Sequence, residues 1–406
     1  MAADHVAPVR FPGRRADRSL LRTPAVLLAV PGAVLAYLFL SGNPGLSAYP
    51  LAQGSAATGA MAVIGPVLAL AAAWETFTLR SLWGRITIRR SWLRVLAERL
   101  RPVLAAGLLM QGACHVYAQA QSANPGWPGW QLVLLTVLGV FAWTAFGAAL
   151  ALTLGRLLAL TAALLVPYLA LTLPAGWEPL WLRHLNGNPV DCCSTSQVLD
   201  GRVVAASAAL LGAILVLSLC VVRVRLAPSG NRPVIAAAVA VAAVAAAGFG
   251  IAPVTALGAS PAAPRPAGSL ECRRDICLWP EDAGAYAANE AAWTAVRAAW
   301  ADLRLPIPPD ARIGPVAAGG LLPITTSATD PTSAEVAMAQ LLPRSLANCV
   351  TDFTDPGRDD RLDRLTVLLQ QRLDLRGAGL PLVTVSDPQP VPADAERLWR
   401  EAGRCP

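Results

Sequence analysis

The chain has 406 residues, of which 55% are apolar and only 15% are charged. An average soluble chain is about 45–50% apolar and about 25% charged, so this composition excludes an ordinary soluble protein and indicates a membrane protein. Every basic residue is an arginine, and the net charge is +7. The arginines fall in alternate loops between apolar runs, which is typical of membrane topology and argues against a nucleic-acid ligand.

The sequence divides into four stretches of different character. Residues 1–22 form a basic tail, and residues 23–255 consist of apolar runs separated by short polar loops. Residues 256–268 form a linker rich in Pro, Ala and Gly, and residues 269–406 have the mixed composition of a soluble domain. We therefore predict an α-helical polytopic membrane domain followed by a small α+β domain.

A helix needs roughly 20 mostly apolar residues to cross a bilayer, and about seven runs come close to this length. The third run is short and contains Gln111 and His115, and only Gly155 and Arg156 separate the fourth from the fifth. The predicted spans are residues 23–40, 57–79, 102–118, 130–154, 157–173, 203–222 and 234–251.

Arginine placement predicts the orientation of these spans. The N-terminal tail and the loops on its side contain sixteen arginines, whereas the alternate loops contain two. The positive-inside rule then places the N-terminus in the cytoplasm of a cell with the spans in its inner (plasma) membrane. Seven crossings place the C-terminal domain outside the cell. A cleaved signal peptide, ending at Leu46–Ala48, is the alternative interpretation of the first run.

Six of the eight cysteines fall on the side predicted to be external, which agrees with this orientation because disulfides persist in oxidising compartments. They are Cys192, Cys193, Cys272, Cys277, Cys349 and Cys405. Cys272 and Cys277 enclose a loop short enough for a hairpin, which would leave Cys349 to pair with Cys405. The four C-terminal cysteines allow three connectivities, and zinc binding is the competing interpretation.

Periodicity in the C-terminal domain predicts four helices and three short strands. The helices are expected over residues 284–304, after Thr332 or Ser333, around Leu362–Leu373 and over residues 393–402. The strands are expected at Arg312–Ala317, Pro323–Thr326 and Pro381–Val385.

The chain contains no HExxH, GxSxG, Walker A or GxGxxG motif, and no histidine follows His184. We therefore expect no enzymatic activity, no cofactor and no metal site. The acidic run Asp355–Asp363 is interpreted as a solvated loop and helix start, with a cation site as the alternative. An extracytoplasmic hydrolase is a further alternative, without an evident pair of nucleophile and base.

Polar residues in and beside the spans are the candidate functional groups. Glu75 lies near the cytoplasmic end of the second span and is interpreted as reaching the membrane surface beside Arg80, or as contacting the segment that follows. Gln111 and His115 either line a polar path or bond to a neighbouring helix. Ser81–Arg101 is predicted to be an amphipathic helix on the inner face that contacts lipid or a cytoplasmic partner. The arginines singled out in it are Arg85, Arg89, Arg90 and Arg94.

The Trp74–Thr76 stretch before Arg80, the basic segment after it and the tight Gly155–Arg156 turn together resemble the membrane subunits of ABC-2-type transporters. The stretch Cys272–Glu281 after the last span resembles the start of an extracytoplasmic domain in a group of uncharacterised bacterial permease-like proteins. The resemblance implies a separate ABC ATPase subunit docking on Ser81–Arg101, and a homodimer or a second membrane subunit. The seventh span departs from the six-span pattern of that family.

Two functions follow as hypotheses. The first is a permease-like subunit of an ATP-driven transporter, which would rely on a separate ATPase. The second is a membrane-anchored extracytoplasmic binding or sensing protein without transport activity. Under both hypotheses the chain is embedded in the lipid bilayer, which is therefore a partner in either case.

Overall fold

The computed structural model divides the chain into two compact units, Met1–Ala263 and Pro264–Pro406. The described residues are 23–42, 49–83, 92–122, 125–189, 192–226, 232–258, 260–347, 356–375, 383 and 390–402. The basic tail, Leu46–Ala48, Asp355 and most of the predicted strand Pro381–Val385 lie outside this set, as do five residues named above as candidates. Those five are Arg85, Arg89, Arg90, Cys349 and Cys405.

The first unit is a bundle of helices, as expected for apolar segments whose backbone groups must find hydrogen-bond partners within the segment. Its described α-helices are α1 (Pro24–Gly42), α2 (Pro50–Gly59), α3 (Met61–Trp83), α4 (Trp92–Ala120), α5 (Trp130–Thr153), α6 (Arg156–Thr172), α7 (Gly201–Leu226) and α8 (Arg232–Ile251). A short ladder between β1 (Gln197–Leu199) and β2 (Ala262–Pro264) joins the loop before α7 to the chain after α8.

The helices run alternately between two ends of the bundle, which we name the Pro50 end and the Arg80 end. At the Pro50 end, the side-chain amide of Gln119 near the end of α4 donates to Pro50 O at 2.8 Å. At the Arg80 end, Arg80 donates to Ala151 O and Leu154 O, which lie at the end of α5. The described chain passes between these ends seven times, with α2 and α3 together making the second pass.

Helix α3 lies at the centre of the bundle. In the most apolar 18-residue stretch of the pass made by α2 and α3, 78% of the residues are buried, whereas the share is 11% for α8, which lies at the edge. Helix α5 runs parallel to α3, and glycines bring the two backbones together: a methyl group added to Gly147 would lie 2.0 Å from Ala69 O. Small residues at such contacts are typical of membrane helix pairs, because they let backbones approach closely.

Within the described part of the chain, six passes are long and apolar enough to cross a membrane, and α4 is not among them. The seven-span prediction is therefore supported for six helices only. The polar residues Gln111, His115 and Gln119 lower the mean hydropathy of α4. Its middle nevertheless lies within the bundle, because a methyl group on Gly107 would contact Leu68 of α3 at 2.8 Å and Val140 of α5 at 3.0 Å.

The described parts of the predicted amphipathic helix Ser81–Arg101 belong to the two neighbouring helices. Residues 81–83 end α3, residues 84–91 lie outside the described set, and Trp92–Arg101 form the first turns of α4. The helix continues through Pro102 because Leu96, Leu100 and Val103 pack on one buried face of the bundle. The opposite face is charged and exposed, and there Arg94 pairs with Glu98 at 3.3 Å.

The second unit packs helices against a small sheet, in agreement with the predicted α+β class. Its described helices are α9 (Tyr286–Asp302), α10 (Pro331–Ala347), α11 (Pro356–Arg372) and α12 (Ala395–Ala402), and its sheet strands are β3 (Glu271–Arg273), β4 (Ile276–Leu278), β5 (Arg312–Gly314) and β6 (Leu321–Pro323). The strand order is β3-β4-β5-β6, antiparallel in the first pair and parallel in the next two.

Two strand predictions need correction. Strand β5 ends at Gly314 rather than at residue 317, and β6 ends at Pro323, where the predicted strand begins. The register explains the shift, because Gly314 pairs with Pro323 and the ladder stops there. The apolar residue Ile324 that suggested the strand is instead buried in the core, beside Trp300 and Ile313.

The C-terminus of α9 forms a Schellman motif with arginine in the position that glycine usually takes. Arg304 N donates to Ala301 O at 2.8 Å, and Leu305 N donates to Trp300 O at 3.4 Å. Arg304 has a φ of 54°, in the left-handed region. This conformation costs an L-residue about 1–2 kcal/mol, and glycine adopts it freely.

We predict that Arg304→Gly stabilises the second unit. The relief of left-handed strain exceeds the entropy that glycine loses on folding, so the free energy of unfolding rises by about 0.5–1 kcal/mol. Arg304→Ala is the matched control, because it removes the same side chain and keeps the strain. Thermal unfolding of the full chain in detergent measures both variants. Equal transition midpoints for the Gly and Ala variants would contradict the prediction.

Candidate functional site: a polar cluster inside the bundle

A break between α2 and α3 creates the first element of the site. The helix turns at Ala60, whose N–H donates to Ala57 O at 3.2 Å with the short spacing of a tighter turn. At such a break, a backbone carbonyl group can accept a hydrogen bond from a neighbouring side chain. Gln111 of α4, which is fully buried, donates its amide to the same Ala57 O at 2.7 Å.

His115 lies one turn further along α4, on the side of α5. Its Nε2 lies 3.3 Å from the hydroxyl of Thr136. Gln111 and His115 therefore both bond to neighbouring helices, as the simpler of the two sequence interpretations states. The structure brings these two predicted residues together in the half of the bundle nearer the Pro50 end.

Helix α2 adds polar side chains that are almost fully buried. Gln53, Ser55 and Thr58 are each 2% exposed or less. Ser55 donates to Pro189 O, in the loop between α6 and α7, and Thr58 donates to Gly54 O at 2.9 Å. These bonds attach the loop to the bundle and satisfy hydroxyl groups that would otherwise be costly to bury.

Four buried polar atoms on α4, on α5 and at Asn188 have no hydrogen-bond partner among the described residues. They are Gln111 Oε1, His115 Nδ1, Trp143 Nε1 and Asn188 Oδ1. An unsatisfied buried polar group costs about 1–3 kcal/mol, so such groups need a functional or solvent partner. Each of these atoms leaves a hydrogen-bond donor or acceptor unsatisfied inside an apolar bundle.

A small cavity of about 70 Å³ adjoins the cluster, between the end of α6 and the loop that follows it. Two of its lining atoms, Arg183 Nε and Asn188 Oδ1, lack partners among the described residues. The volume holds one or a few water molecules, each of which needs several polar neighbours. The cavity therefore extends the polar cluster toward the Pro50 end.

His184 also lines this cavity and is 2% exposed. Its Nε2 donates to Gly258 O at 2.8 Å, and its own backbone oxygen accepts from Ser207 at 2.6 Å. Burial lowers the pKa of His184, and the neighbouring Arg183 lowers it further, against the opposing effects of the Gly258 carbonyl and Asp200. The imidazole is thus neutral when it joins the loop to the chain after α8.

Glu75 and the basic residues lie apart from this cluster. Glu75 is 5% exposed, so the interpretation that it reaches the surface beside Arg80 is wrong. Arg80 bonds to the end of α5 instead, and Arg99 of α4 is the charged group whose field acts on Glu75. The reason is that the first turns of α4 pack into the bundle rather than lying on its surface. Arg94 is exposed on those turns.

The four described cysteines of the predicted external side form two pairs. Cys272 and Cys277 face each other across the β3–β4 hairpin and form a disulfide, in the pairing that the short loop suggests. Cys192 and Cys193 lie within disulfide distance of each other and are buried with Tyr49, Leu132 and Val203. In the second unit, Asp360 and Asp363 form ion pairs with Arg364 and Arg344.

Sequence reasoning missed Gln53, Ser55, Thr58, Arg183 and Asn188. The signal available was the stretch Gln53–Gly59, which interrupts an apolar run with three polar residues and two glycines. Such interrupted segments mark helix breaks at binding sites in membrane transporters. The loop residues carry no comparable signal, because only the fold brings Asn188 against Gly59.

No protein-family model, no curated protein and no solved structure matches this chain. The site is therefore interpreted from its own geometry.

We predict that His184 makes the stability of the bundle depend on pH. A lowered pKa in the folded state means that the unfolded chain binds the proton more readily, so stability falls as pH drops through about 6.5. His184→Gln keeps a donor for Gly258 O and removes this dependence. Thermal midpoints between pH 7.5 and 5 measure the difference. Parallel curves for the two proteins would contradict the prediction.

Proposed function

We propose that this chain is a seven-span protein of the plasma membrane that acts as the permease-like subunit of an ATP-driven transporter. The observation that carries the proposal is the set of four unpartnered polar atoms inside the bundle, on Gln111, His115, Trp143 and Asn188. Polar groups are costly within a bilayer, and those that face a bundle interior mark substrate pathways. The break at Ala60 adds a second feature of transporter binding sites.

The proposal includes α4 as a membrane span. Its 29 residues extend about 43 Å at about 1.5 Å per residue, which exceeds the roughly 30 Å of the hydrocarbon core. The excess matches the charged turns Trp92–Arg101, which would project into the cytoplasm. The remaining residues pack between α3 and α5, where neighbouring helices rather than lipid surround Gln111.

The proposal also includes a separate ATPase, because the sequence has no Walker A motif. The exposed charged face of α4 at the Arg80 end offers a docking surface, on which the Arg94 side chain is 70% exposed. A second membrane subunit or a second copy of this chain would complete the transporter. The rest of the apolar surface, as on α8, would contact lipid.

Cysteine labelling tests the topology. We expect Trp127→Cys and Val391→Cys to react with a membrane-impermeant maleimide on intact cells, and Leu93→Cys to react only after permeabilisation. All three positions are more than half exposed, so accessibility of the side chain does not limit the reaction.

The chain without the introduced cysteines, labelled in the same way, gives the background signal. Reaction of Leu93→Cys and Trp127→Cys from the same side would show that α4 does not cross. Reaction of Val391→Cys from the cytoplasm alone would place the second unit inside the cell.

Isolation of the full chain from native membranes tests the ATP-driven function. We expect a Walker-motif ATPase to co-purify in stoichiometric amount, and Arg94→Glu to reduce its recovery severalfold by reversing charge at the docking face. Arg397→Glu is the matched control, because it breaks a similar exposed ion pair, with Asp394, in the second unit. Absence of any ATPase, or equal loss in both variants, would contradict the proposal.

A membrane-anchored binding or sensing protein without transport activity is the second candidate. The separate core of the second unit favours it, since this unit buries two tryptophans, Trp279 and Trp300, completely. Under this function the helical bundle would serve as an anchor, and no ATPase would co-purify.

A further inference from the structure

The second unit has a groove of about 810 Å³ between the β3–β4 hairpin and α9. Its volume falls within the range of about 300–1,000 Å³ that is typical of small-molecule sites. The groove belongs entirely to this unit and is separate from the polar cluster in the bundle. It would have a role under either of the two proposed functions.

Three arginines line the groove. The guanidinium of Arg273 lies 4.3 Å from the ring centre of Tyr286, and among the described residues nothing accepts a hydrogen bond from it. Arg274 pairs with Glu290, which lines the groove together with Asp275, and Arg297 donates to Pro309 O at 2.9 Å. The planar guanidinium of Arg273 presents its N–H groups in the fork that recognises phosphate and carboxylate groups.

Apolar side chains complete the lining. Ile276 and Trp293 are each 5% exposed, and several alanines of α9 lie beside them. The indole N–H of Trp293 is buried and has no partner among the described residues. The groove thus combines free donors with an apolar wall, which suits a ligand that has both an anionic group and an apolar part.

The hairpin that forms one wall is fixed in place. The Cys272–Cys277 disulfide closes it, and its two-residue turn places Arg274 at a φ of 52°. Glycine is the favoured residue at such a position, because any side chain is strained there. The turn thus holds Arg274 at the groove in a backbone conformation that glycine adopts more easily.

We propose that this groove binds a small soluble molecule in which a phosphate or carboxylate adjoins an apolar group. Arg273 and Arg274 hold the anion, and Ile276 with Trp293 contacts the apolar part. Binding weakens as ionic strength rises, since the arginines are solvent-exposed.

The test uses the full chain in phosphatidylcholine nanodiscs and follows 4-fluorophenyl phosphate by ¹⁹F NMR. We expect the wild type to broaden this signal and to bind neutral 4-fluorobenzyl alcohol more weakly. Arg273→Gln and Arg274→Gly each reduce affinity by roughly tenfold, the loss expected for one charge-assisted hydrogen bond. Arg304→Gly is the matched control, because it replaces another exposed, left-handed arginine that lies outside the groove.

Thermal unfolding separates a loss of binding from a loss of folding. We expect Arg274→Gly to maintain or raise the transition midpoint, because it relieves backbone strain. If the Arg274→Gly variant is at least as stable as the wild type and binds the probe more weakly, Arg274 contacts the ligand. Equal affinity for the phosphate and the alcohol, or equal effects of Arg274→Gly and Arg304→Gly, would overturn the proposal. Displacement of the probe by phosphatidylglycerol in the nanodisc would contradict the proposal that the ligand is a soluble molecule.

Discussion

Close contact between the backbones of α3 and α5 is the constraint on which the bundle depends. Lipid tails are as apolar as leucine, so helices in a membrane gain little from hiding apolar side chains and associate through packing instead. Glycines at Gly65, Gly139 and Gly147 face Trp143, Met61 and Ala69 in register along this pair. With α3 held at the centre, α1, α4 and α6 pack around it, and α8 contacts mainly α7 at the edge.

The same arrangement separates two kinds of chemistry along α4. Its first turns present charged residues at the Arg80 end, and its second half brings Gln111 and His115 among the polar side chains near the Pro50 end. Movement of α4 against α3 would therefore affect both regions. In the permease proposed above, α4 would join the docking surface to the interior site.

The second unit shows how one backbone conformation serves two purposes. Arg304 adopts left-handed geometry to end α9, and its motif buries Leu305 against the core. Arg274 adopts the same geometry at the tip of a disulfide-closed turn, beside a groove. The strain in the first case is a cost of helix termination. In the second it places a cation beside the aromatic and apolar lining of the groove.

The sequence by itself determined the features that depend on composition and local periodicity. Apolar runs predicted the bundle helices, the composition change near residue 256 predicted the second unit, and the short loop between Cys272 and Cys277 predicted their pairing. Only the tertiary structure decided that Trp92–Arg101 continue into α4, that Glu75 is buried, and that Asn188 meets Gly59. Those outcomes depend on which faces of distant segments fit together, and the residues near each position in the chain do not specify that fit.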